Sequence, residues 1–450
     1  MMEDPDNEWR RSVPAKTSQD STTEATEATD ASATADIQDA ADIADTTGTA
    51  DAAATADVKD APPRSPLERF GITGKALQWA NWISVAVGIY ILITAVAVVG
   101  DGFKAATGGQ AEELFAFASN PLVALMIGLL ATALIQSSST VTSIIVGLVA
   151  GGLPMATAIP MLMGANVGTT LTSTLVSLGM VRDKESFRRA FAAASIHDFY
   201  NLLAVIIFLP LELAFGLVEK SSAWMSEQLA GSDGGPLAAV FGGLGTGVTT
   251  LTDPMGDLIT SALSPLPTPF DGIAMILLGI GLILSVINMI GKLLKIVMVG
   301  RAKQVLHTAI GRGPVSGITS GTLITVMVQS SSTTTSLIVP LAGSGTFSIK
   351  QVYPFTLGAN VGTTLTALIA AFAFSGAEAQ LALQAAFIHV VYNIFALLVI
   401  YGLPFLRWIP PWGATTLARL GAENKLYVAV WVIGMFLVLP ALLILLTVLP

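Results

Sequence analysis

Three short blocks of sequence occur twice in this chain, in the same order and at a nearly constant spacing. The starting residues of the paired blocks are Gln136 and Gln329 for QSSS, Gly164 and Gly358 for GANVGTT, and His197 and His389 for a third block. The offsets between partners are 193, 194 and 192 residues. A match of three ordered blocks indicates an internal duplication. The fold should therefore contain two related halves.

Both QSSS blocks lie inside apolar sequence, in LIQSSSTVTSIIV from Leu134 and in MVQSSSTTTSLIV from Met327. The whole chain is 53% hydrophobic and only 12% charged, and its mean hydropathy is +0.71, which is typical of a membrane protein. In hydrocarbon an unpaired polar group costs several kcal/mol. A polar block that is kept twice in such surroundings therefore indicates a cavity or a binding site.

Charge and residue usage exclude several classes of function. Residues 1–62 contain 15 Asp and Glu against 4 Lys and Arg, so the net charge of −9 belongs to this segment and says nothing about a substrate. We expect residues 1–65 to be a disordered acidic tail, because they contain few large apolar residues. The chain has no cysteine and three histidines. Disulfides and cysteine nucleophiles are thereby excluded, and no nucleophile and base pair indicates an enzyme.

The apolar stretches predict an all-α polytopic membrane protein. Seven of them approach the roughly 20 residues that cross a bilayer, namely 79–100, 156–180, 190–215, 271–299, 350–374, 379–402 and 425–449. Two shorter pairs, 121–152 and 314–345, are each interrupted by QSSS and predict re-entrant hairpins. The predicted organisation is a first membrane repeat over 75–217, a connecting region over 218–270, a second repeat over 271–402 and a final helix over 425–449.

Basic residues in short loops predict the orientation of the spans. Clusters that should be cytoplasmic precede the first span, follow the second span and precede the second hairpin; they include Arg64, Lys75, Arg182, Arg188, Lys292 and Arg312. The connecting region 218–270 is acidic and rich in glycine, serine and proline, so we expect it outside. The N-terminus is then cytoplasmic and the hairpins enter from opposite sides, which predicts an inverted repeat.

The duplicated blocks contain the groups that a mid-membrane ion site needs. QSSS supplies amide and hydroxyl groups, and the glycines of GANVGTT make helix continuation costly by about 1 kcal/mol each. We therefore predict an interrupted helix at each GANVGTT, with half-helix N-termini that face an anion and free carbonyl groups that face Na⁺. The alternative is that these small residues only pack helices together.

Asp198 is a carboxylate within a predicted span, and its counterpart in the second copy is Val390. A buried charge there needs a cation or a partner. Asn201, three residues later, lies on the same helix face and could share a ligand. A structural ion pair with Arg188 or Arg189 is the alternative. Because His197 and His389 lie on apolar spans, we interpret both as packed, hydrogen-bonded side chains.

The paired QSSS blocks, each followed by GANVGTT, and the stretch ESFRRAFAAASIHDFYNLL resemble the type II sodium-dependent phosphate cotransporters. The resemblance covers about residues 75–400, and the lack of cysteine in the connecting region is similar to prokaryotic-type rather than animal members. It implies inverted repeats with re-entrant QSSS hairpins. It also implies sodium-coupled import of inorganic phosphate across the cell membrane by alternating access, with Na⁺ as the co-transported ion rather than a prosthetic group.

The resemblance also implies site residues. Phosphate would be bound by Gln136, Ser137, Ser138, Ser139, Thr140, Gln329, Ser330, Ser331, Ser332 and Thr333. Sodium would be bound by Asp198, Asn201, Asn166, Thr169, Thr170, Asn360, Thr363 and Thr364. In the family that this chain resembles, the residue after the motif histidine is Asp in electrogenic members and Gly in electroneutral members. Asp198 therefore implies a third sodium ion and net charge movement.

Other functions remain open at this point. The same scaffold could carry another oxyanion, such as arsenate, or a small carboxylate. A sodium-conducting channel would show uncoupled downhill flux, and a membrane scaffold with a polar core would show no flux. Phosphate, sodium and the lipid bilayer are the expected partners, nucleic acid is not, and the oligomeric state is left open.

Overall fold

The computed structural model describes residues 65–108, 119–230, 235–309 and 312–448, and within these ranges all regular structure is helical. The predicted all-α class is thereby confirmed for the described residues. The predicted acidic tail, residues 1–65, lies outside them except for Ser65.

The helices of the first half follow the order of the duplicated blocks. They are α1 (Gly74–Thr107), α2 (Pro121–Ile135), α3 (Ser138–Ala150), α4 (Met155–Gly168), α5 (Leu171–Leu178) and α6 (Lys184–Phe215). Two further helices occupy the connecting region, α7 (Leu217–Ala230) and α8 (Gly235–Leu263).

The second half repeats the pattern and adds a C-terminal group. Its helices are α9 (Phe270–Ala309), α10 (Pro314–Val328), α11 (Ser331–Gly343), α12 (Ile349–Ala371), α13 (Gly376–Ala396), α14 (Pro404–Arg407), α15 (Ile409–Glu423), α16 (Lys425–Ile433) and α17 (Leu439–Val448). A π-helical turn continues α13, and another joins α16 to α17. The helices on either side of QSSS have the same lengths in both halves, 15 and then 13 residues.

Within the described ranges, five helical segments are long and apolar enough to cross a membrane: Gly74–Thr107, Lys184–Phe215, Phe270–Leu294, Gly376–Tyr401 and Lys425–Thr447. They match five of the seven predicted spans. The other two predictions, 156–180 and 350–374, fall on the polar helices that contain GANVGTT. In the first half this segment is divided between α4 and α5, and in the second half it is the single 23-residue helix α12.

The prediction of an interrupted helix at each GANVGTT is wrong for the second block, whereas in the first block one helix ends at Gly168 and the next begins at Leu171. Helix α12 runs through the whole second block without a break. In the first half Thr169 and Thr170 separate α4 from α5, but both keep right-handed helical backbone angles. The physical reason is that a glycine costs only about 1 kcal/mol in a helix, and here the glycines serve a packing contact that outweighs this cost.

That contact is a close approach of two helix backbones. Gly164 of α4 lies against the carbonyl group of Leu125 in α2, and a β-carbon on Gly164 would overlap that oxygen. In the second half Gly358 of α12 meets the carbonyl group of Ile318 in α10 in the same way. Glycines four residues apart are the usual means of bringing membrane helices into backbone contact. The GANVG glycines therefore allow α4 to pack closely on α2, and α12 to pack closely on α10.

The corresponding helices α1 and α9 pack against each other along their lengths. Gly88 packs on Ile290, near one end of the pair, while Gly102 packs on Gly272 and Met275, near the other. Because residue numbers rise in one helix as they fall in the other, the two helices run antiparallel.

Helix α6 carries His197, Asp198 and Asn201, and its N-terminus is fixed by Asp183. The carboxylate of Asp183 accepts a hydrogen bond from the Ser186 backbone N–H at 2.6 Å, which caps the first turn. Hydrogen bonds from the Ser186 hydroxyl and N–H hold the pKa of Asp183 below its usual value. The helix ends at Gly216, which has φ of 60°.

Candidate functional site

The first QSSS block forms the turn between α2 and α3. Gln136 has left-handed backbone angles, with φ of 59°, and ends α2. Ser137 is extended, and its hydroxyl oxygen accepts the N–H of Thr140 at 3.3 Å, which caps α3. The hydroxyl groups of Ser137 and Thr140 also lie 2.9 Å apart, within hydrogen-bond distance. The block thus ends one helix and, two residues later, starts a new helix at Ser138.

The second QSSS block forms the same turn between α10 and α11. Gln329 has φ of 54°, and Ser330 accepts the N–H of Thr333 at 3.2 Å. Among the described residues, Gln136 and Gln329 are the only non-glycine residues with positive φ. Such a conformation costs about 1–3 kcal/mol for a residue with a side chain and tends to occur at functional sites. A glycine would fit both positions without strain, so the glutamine side chains must contribute something else.

Each glutamine side chain is held at both ends. Gln136 Nε2 donates to the carbonyl oxygen of Ala133, and its Oε1 accepts the hydroxyl hydrogen of Thr172 at 2.8 Å. The second copy matches, because Gln329 Oε1 accepts from Thr366 at 3.0 Å. The sequence analysis missed both threonines. They occupy equivalent positions in GANVGTTLT, so extending the repeat by two residues would have found them.

The two turns present the N-termini of α3 and α11. The first N–H groups of a helix have no partner within the helix, and together with the helix dipole they favour an anion. The hydrogen bonds that shape each turn come from its glutamine, its first serine and its threonine, so the next two serines are not needed to hold it. Those four serines are buried: Ser138, Ser139, Ser331 and Ser332. Each turn therefore has N–H and hydroxyl groups suited to an oxyanion.

The two halves exchange contacts at these turns. Helix α3 packs against α12 and α13 of the second half, while α11 packs against α5 and α6 of the first. The hydroxyl groups of Ser173 in α5 and Thr335 in α11 are 2.6 Å apart and buried. Each QSSS helix is thus embedded in the opposite half.

A buried hydrogen-bonded cluster joins the GANVG asparagine of the second half to α6 of the first. Asn360 Nδ2 donates to Asn201 Oδ1 at 2.7 Å, and Asn360 Oδ1 lies 2.5 Å from His197 Nε2. An amide oxygen can only accept, so His197 must carry its proton on Nε2. Its other ring nitrogen, Nδ1, is buried without a partner among the described residues. This matches the interpretation of His197 as a packed, hydrogen-bonded side chain.

The equivalent cluster in the other half joins the first GANVG asparagine, Asn166, to α13. Asn166 Oδ1 lies 2.9 Å from His389 Nε2, and Asn166 Nδ2 donates to Asn393 Oδ1 at 3.1 Å. Asn201 Nδ2 also donates to the backbone oxygen of Asn166, at 2.8 Å, so the two clusters are continuous. We call these six residues the asparagine–histidine clamp: Asn166, His197, Asn201, Asn360, His389 and Asn393. The clamp ties the two halves together at the level of the GANVG blocks.

Replacement of Asn360 by leucine should lower the free energy of unfolding by roughly 2 kcal/mol or more, because it leaves His197 and Asn201 buried without their partner. Thermal unfolding of the purified protein in detergent measures the loss. His197→Leu should lower the free energy of unfolding by less in the Asn360→Leu background than in the native chain, because both substitutions remove the same hydrogen bond. Asn288→Leu, at an exposed position, is the matched control and should change stability by less than about 0.5 kcal/mol. Additive losses would contradict the clamp.

The clamp uses three of the predicted sodium ligands, since the side chains of Asn166, Asn201 and Asn360 all make hydrogen bonds within it. The predicted threonine ligands are arranged differently. Their hydroxyl groups donate to backbone carbonyl oxygens one turn earlier in the same helix, which leaves their oxygen lone pairs open to a cation; they are Thr169, Thr170, Thr363 and Thr364. The assignment of all these residues to sodium stays a prediction.

Asp198 is 2% exposed and lies apart from the clamp. Its Oδ2 accepts the indole N–H of Trp431 in α16 at 3.0 Å, and Thr170 and Thr174 lie beside the carboxylate. In the described part of the chain, Asp198 Oδ1 and the Thr174 hydroxyl are buried, and neither makes a hydrogen bond of normal geometry. The groups around this carboxylate are therefore neutral, and its Oδ1 lacks a hydrogen-bond donor of normal geometry.

The arginines that the sequence offered as alternative partners for Asp198 bind elsewhere. Arg188 pairs with Glu185 at 3.0 Å, and Arg189 Nε donates to the carbonyl oxygen of Gly343 at 3.0 Å. The second contact joins α6 to the end of α11, and so adds another link between the halves. Neither contact neutralises Asp198, and a buried carboxylate needs a cation or another partner.

Comparison with known proteins identifies the family. The profile described as Na⁺/Pi-cotransporter matches residues 91–252 and 282–405, which is well over half of the chain. The chain belongs to the Na⁺/Pi-cotransporter family. This confirms the family resemblance noted in the sequence.

Relatives of this chain include sodium-dependent phosphate transport protein 2A of Rattus norvegicus, which is 31% identical over 418 residues, covering 79% of this chain and 66% of the relative. Protein 2B of Bos taurus is 30% identical over 450 residues, covering 80% and 64%. The aligned part of the chain thus spans slightly less than two thirds of these relatives. No solved structure matches the chain.

Proposed function

We propose that this chain is a secondary-active symporter that imports inorganic phosphate together with sodium ions. The observation that carries the proposal is the pair of QSSS turns, in which two glutamines adopt the same strained conformation and each turn starts a helix. Strain that is kept twice at equivalent positions favours a binding function over packing. The family, and relatives named as sodium-dependent phosphate transport proteins, support phosphate and sodium as the transported ions.

Phosphate would be bound by the helix N-termini and the QSSS side chains. The ten residues predicted for this role contain no Lys or Arg. Positive charge must therefore come from the helix dipoles and from sodium ions bound at the same time. This makes sodium a part of the phosphate site and gives a physical reason for coupling the two ions.

Sodium would be bound by Asp198 and by the oxygen atoms of the GANVGTT blocks. Asp198 is the strongest single attraction, because its carboxylate is buried among neutral groups. Its counterpart Val390 cannot bind a cation, so this site exists in one half only. A sodium ion there, in addition to those that balance a phosphate dianion, makes transport electrogenic.

Alternating access would come from two inverted repeats that move around a shared central site. The antiparallel packing of α1 on α9 supports inversion, since inverted repeats place corresponding helices in opposite directions. The QSSS turns would then be the tips of re-entrant hairpins that enter from opposite sides. We place the protein in the cell membrane with a cytoplasmic N-terminus, and residues 218–270 outside, on the basic loops of the sequence.

A symporter for another oxyanion or a small carboxylate is the second candidate. A tetrahedral oxyanion such as arsenate offers the same oxygen atoms to the turns and would compete with phosphate. Competition by unlabelled arsenate and by carboxylates measures the selectivity directly. A sodium channel would pass sodium without phosphate, and a scaffold would pass neither ion.

The test compares radioactive phosphate uptake into proteoliposomes, with and without an inward sodium gradient, for the native chain and for Gln136→Gly and Gln329→Gly. Glycine removes the side chain but fits the left-handed backbone, so both variants should fold with stability within about 1 kcal/mol of the native chain. We expect sodium-dependent uptake by the native chain and at least a ~10-fold loss in each variant.

The variant Gln228→Gly, at an exposed position in α7, makes the same substitution outside the QSSS turns and should transport like the native chain. Native-like uptake by both turn variants would reject the turns as the phosphate site. Equal uptake with and without sodium would reject the proposed coupling.

A further inference from the structure

The final membrane helix reaches the Asp198 site through one side chain, Trp431 of α16. We propose that Trp431 is a positioning residue for the sodium ion at Asp198. Its indole N–H holds Oδ2, so that Oδ1 stays directed toward the ion. This inference rests on the proposed sodium site and adds to it a residue from outside both repeats.

The indole is held in place by packing as well as by its hydrogen bond. The ring of Phe199 stacks on Trp431, with 5.1 Å between ring centroids and 15° between their planes. Gly413 of α15 makes room for Phe199, because a β-carbon at this position would meet its ring at 2.5 Å. The order of contacts is thus Gly413, Phe199, Trp431 and Asp198, and three helices contribute to it.

A neutral donor can orient a carboxylate but cannot neutralise it. The hydrogen bond of 3.0 Å from Trp431 satisfies Oδ2 alone. The Thr174 hydroxyl and Asp198 Oδ1 are buried side by side and, among the described residues, make no hydrogen bond of normal geometry. A hard cation that prefers oxygen ligands completes this arrangement, because it supplies the missing charge and uses both free oxygen atoms.

Loss of the indole N–H should weaken sodium binding. Oδ2 would then also be buried without a partner, and the carboxylate would be free to turn away from the ion. A hydrogen bond to a charged group contributes more than one to a neutral group. The charged form of Asp198, which is the form that binds a cation, would be less favourable.

Trp431 has no counterpart in the duplication and lies outside the two family-matched segments, 91–252 and 282–405. Asp198 also lacks a counterpart, since Val390 occupies the equivalent position. A carboxylate that occurs in only one half is therefore contacted by a helix that belongs to neither half. This agreement separates the Asp198 site from the symmetric QSSS turns.

The test uses Trp431→Phe, which keeps an aromatic ring on Phe199, removes the N–H donor and makes the side chain smaller. Sodium binding is measured as the sodium concentration that gives half of the maximal thermal stabilisation of the purified full chain. We expect this concentration to rise about threefold to tenfold. Trp412→Phe, at an exposed position paired with Trp408, is the control and should leave it unchanged.

Two further variants separate positioning from a general loss of structure. In the Asp198→Asn background, Trp431→Phe should cause no additional change in sodium dependence, because it acts through the carboxylate. Phe199→Leu keeps the indole but removes the ring beneath it, and should raise the half-stabilising sodium concentration by a smaller factor. It decides the question if Trp431→Phe does not fold.

Phosphate uptake at saturating sodium is measured in parallel. Native-like sodium dependence in Trp431→Phe, or an equal further change in the Asp198→Asn background, would overturn the inference. If sodium stabilises the native chain but uptake does not depend on sodium, the proposed transport function fails while the positioning role stands. If sodium does not stabilise the native chain, the sodium site and the role of Trp431 are both rejected.

Discussion

Gly164→Ala and Gly358→Ala should each strongly destabilise the folded chain. A β-carbon at Gly164 would overlap the carbonyl oxygen of Leu125, and one at Gly358 would overlap that of Ile318. Backbone atoms of a packed helix cannot move aside as a flexible side chain can. We expect a loss of about 3 kcal/mol or more in the free energy of unfolding for each substitution.

The control for both substitutions is Gly281→Ala in α9, where the space around an added β-carbon is open. Alanine is a better helix former than glycine, so this variant should be as stable as the native chain or slightly more so. The measurement is the amount of monodisperse protein in detergent and its unfolding temperature. A Gly164→Ala variant with the native unfolding temperature would contradict the backbone contact and return GANVG to its predicted role as a helix break.

Asp198→Gly should remove the effect of membrane potential on phosphate uptake. Each charge that crosses the full membrane contributes about 2.3 kcal/mol per 100 mV, which corresponds to a change of about 50-fold in the attainable accumulation ratio. In the variant this contribution is lost because the charge-balancing sodium site is gone. Uptake into proteoliposomes is measured at zero and at inside-negative potential, with the same sodium gradient.

Asp183→Gly is the control for this experiment, because Asp183 is an exposed helix cap in the loop before α6. It removes a carboxylate from the same region and should leave the response to potential in place. A native response to potential in Asp198→Gly would remove Asp198 from the proposed charge-moving site. Sodium-coupled uptake that never responded to potential, even in the native chain, would keep the symporter and reject the third sodium ion.

The duplication of sequence predicted the part of the molecule that depends on local structure. The turn at Gln136 and its equivalent at Gln329 occur where the repeated polar block interrupts apolar sequence, and the flanking helices have equal lengths in both halves. Thr172 and Thr366 were also within reach, since they belong to the same repeated stretch. A repeat is informative here because two copies of one sequence have to solve the same local packing problem.

The parts that sequence did not predict depend on contacts between distant elements. The glycines of GANVG were interpreted as helix breakers, but the decisive fact is the backbone of α2 or α10 beside them. The glycine, serine and proline residues of 218–270 indicated a connecting region, yet α7 and α8 are helices. Trp431 belongs to no repeat and no polar motif, so only its position next to Asp198 distinguishes it.

The pairing of each asparagine with the opposite histidine also needed the structure. Sequence placed Asn166 and His389 in separate blocks more than 200 residues apart, and nothing in either block indicates that the halves exchange partners. The clamp gives Asn166 and Asn360 a structural task beside the predicted role in sodium binding. The threonine oxygen atoms of GANVGTT still have free lone pairs. These threonines and Asp198 are therefore stronger candidates for sodium ligands than the asparagines.

The measurement that tests the central claim most directly is phosphate binding to the purified native chain at increasing sodium concentration, with potassium replacing sodium at constant ionic strength. Phosphate bound without Lys or Arg in the QSSS turns needs sodium as its counter-charge, and linked binding of two ions typically changes affinity about 5-fold to 150-fold. We expect phosphate affinity to rise at least ~10-fold between potassium and saturating sodium. Equal phosphate affinity in sodium and in potassium would contradict the shared site.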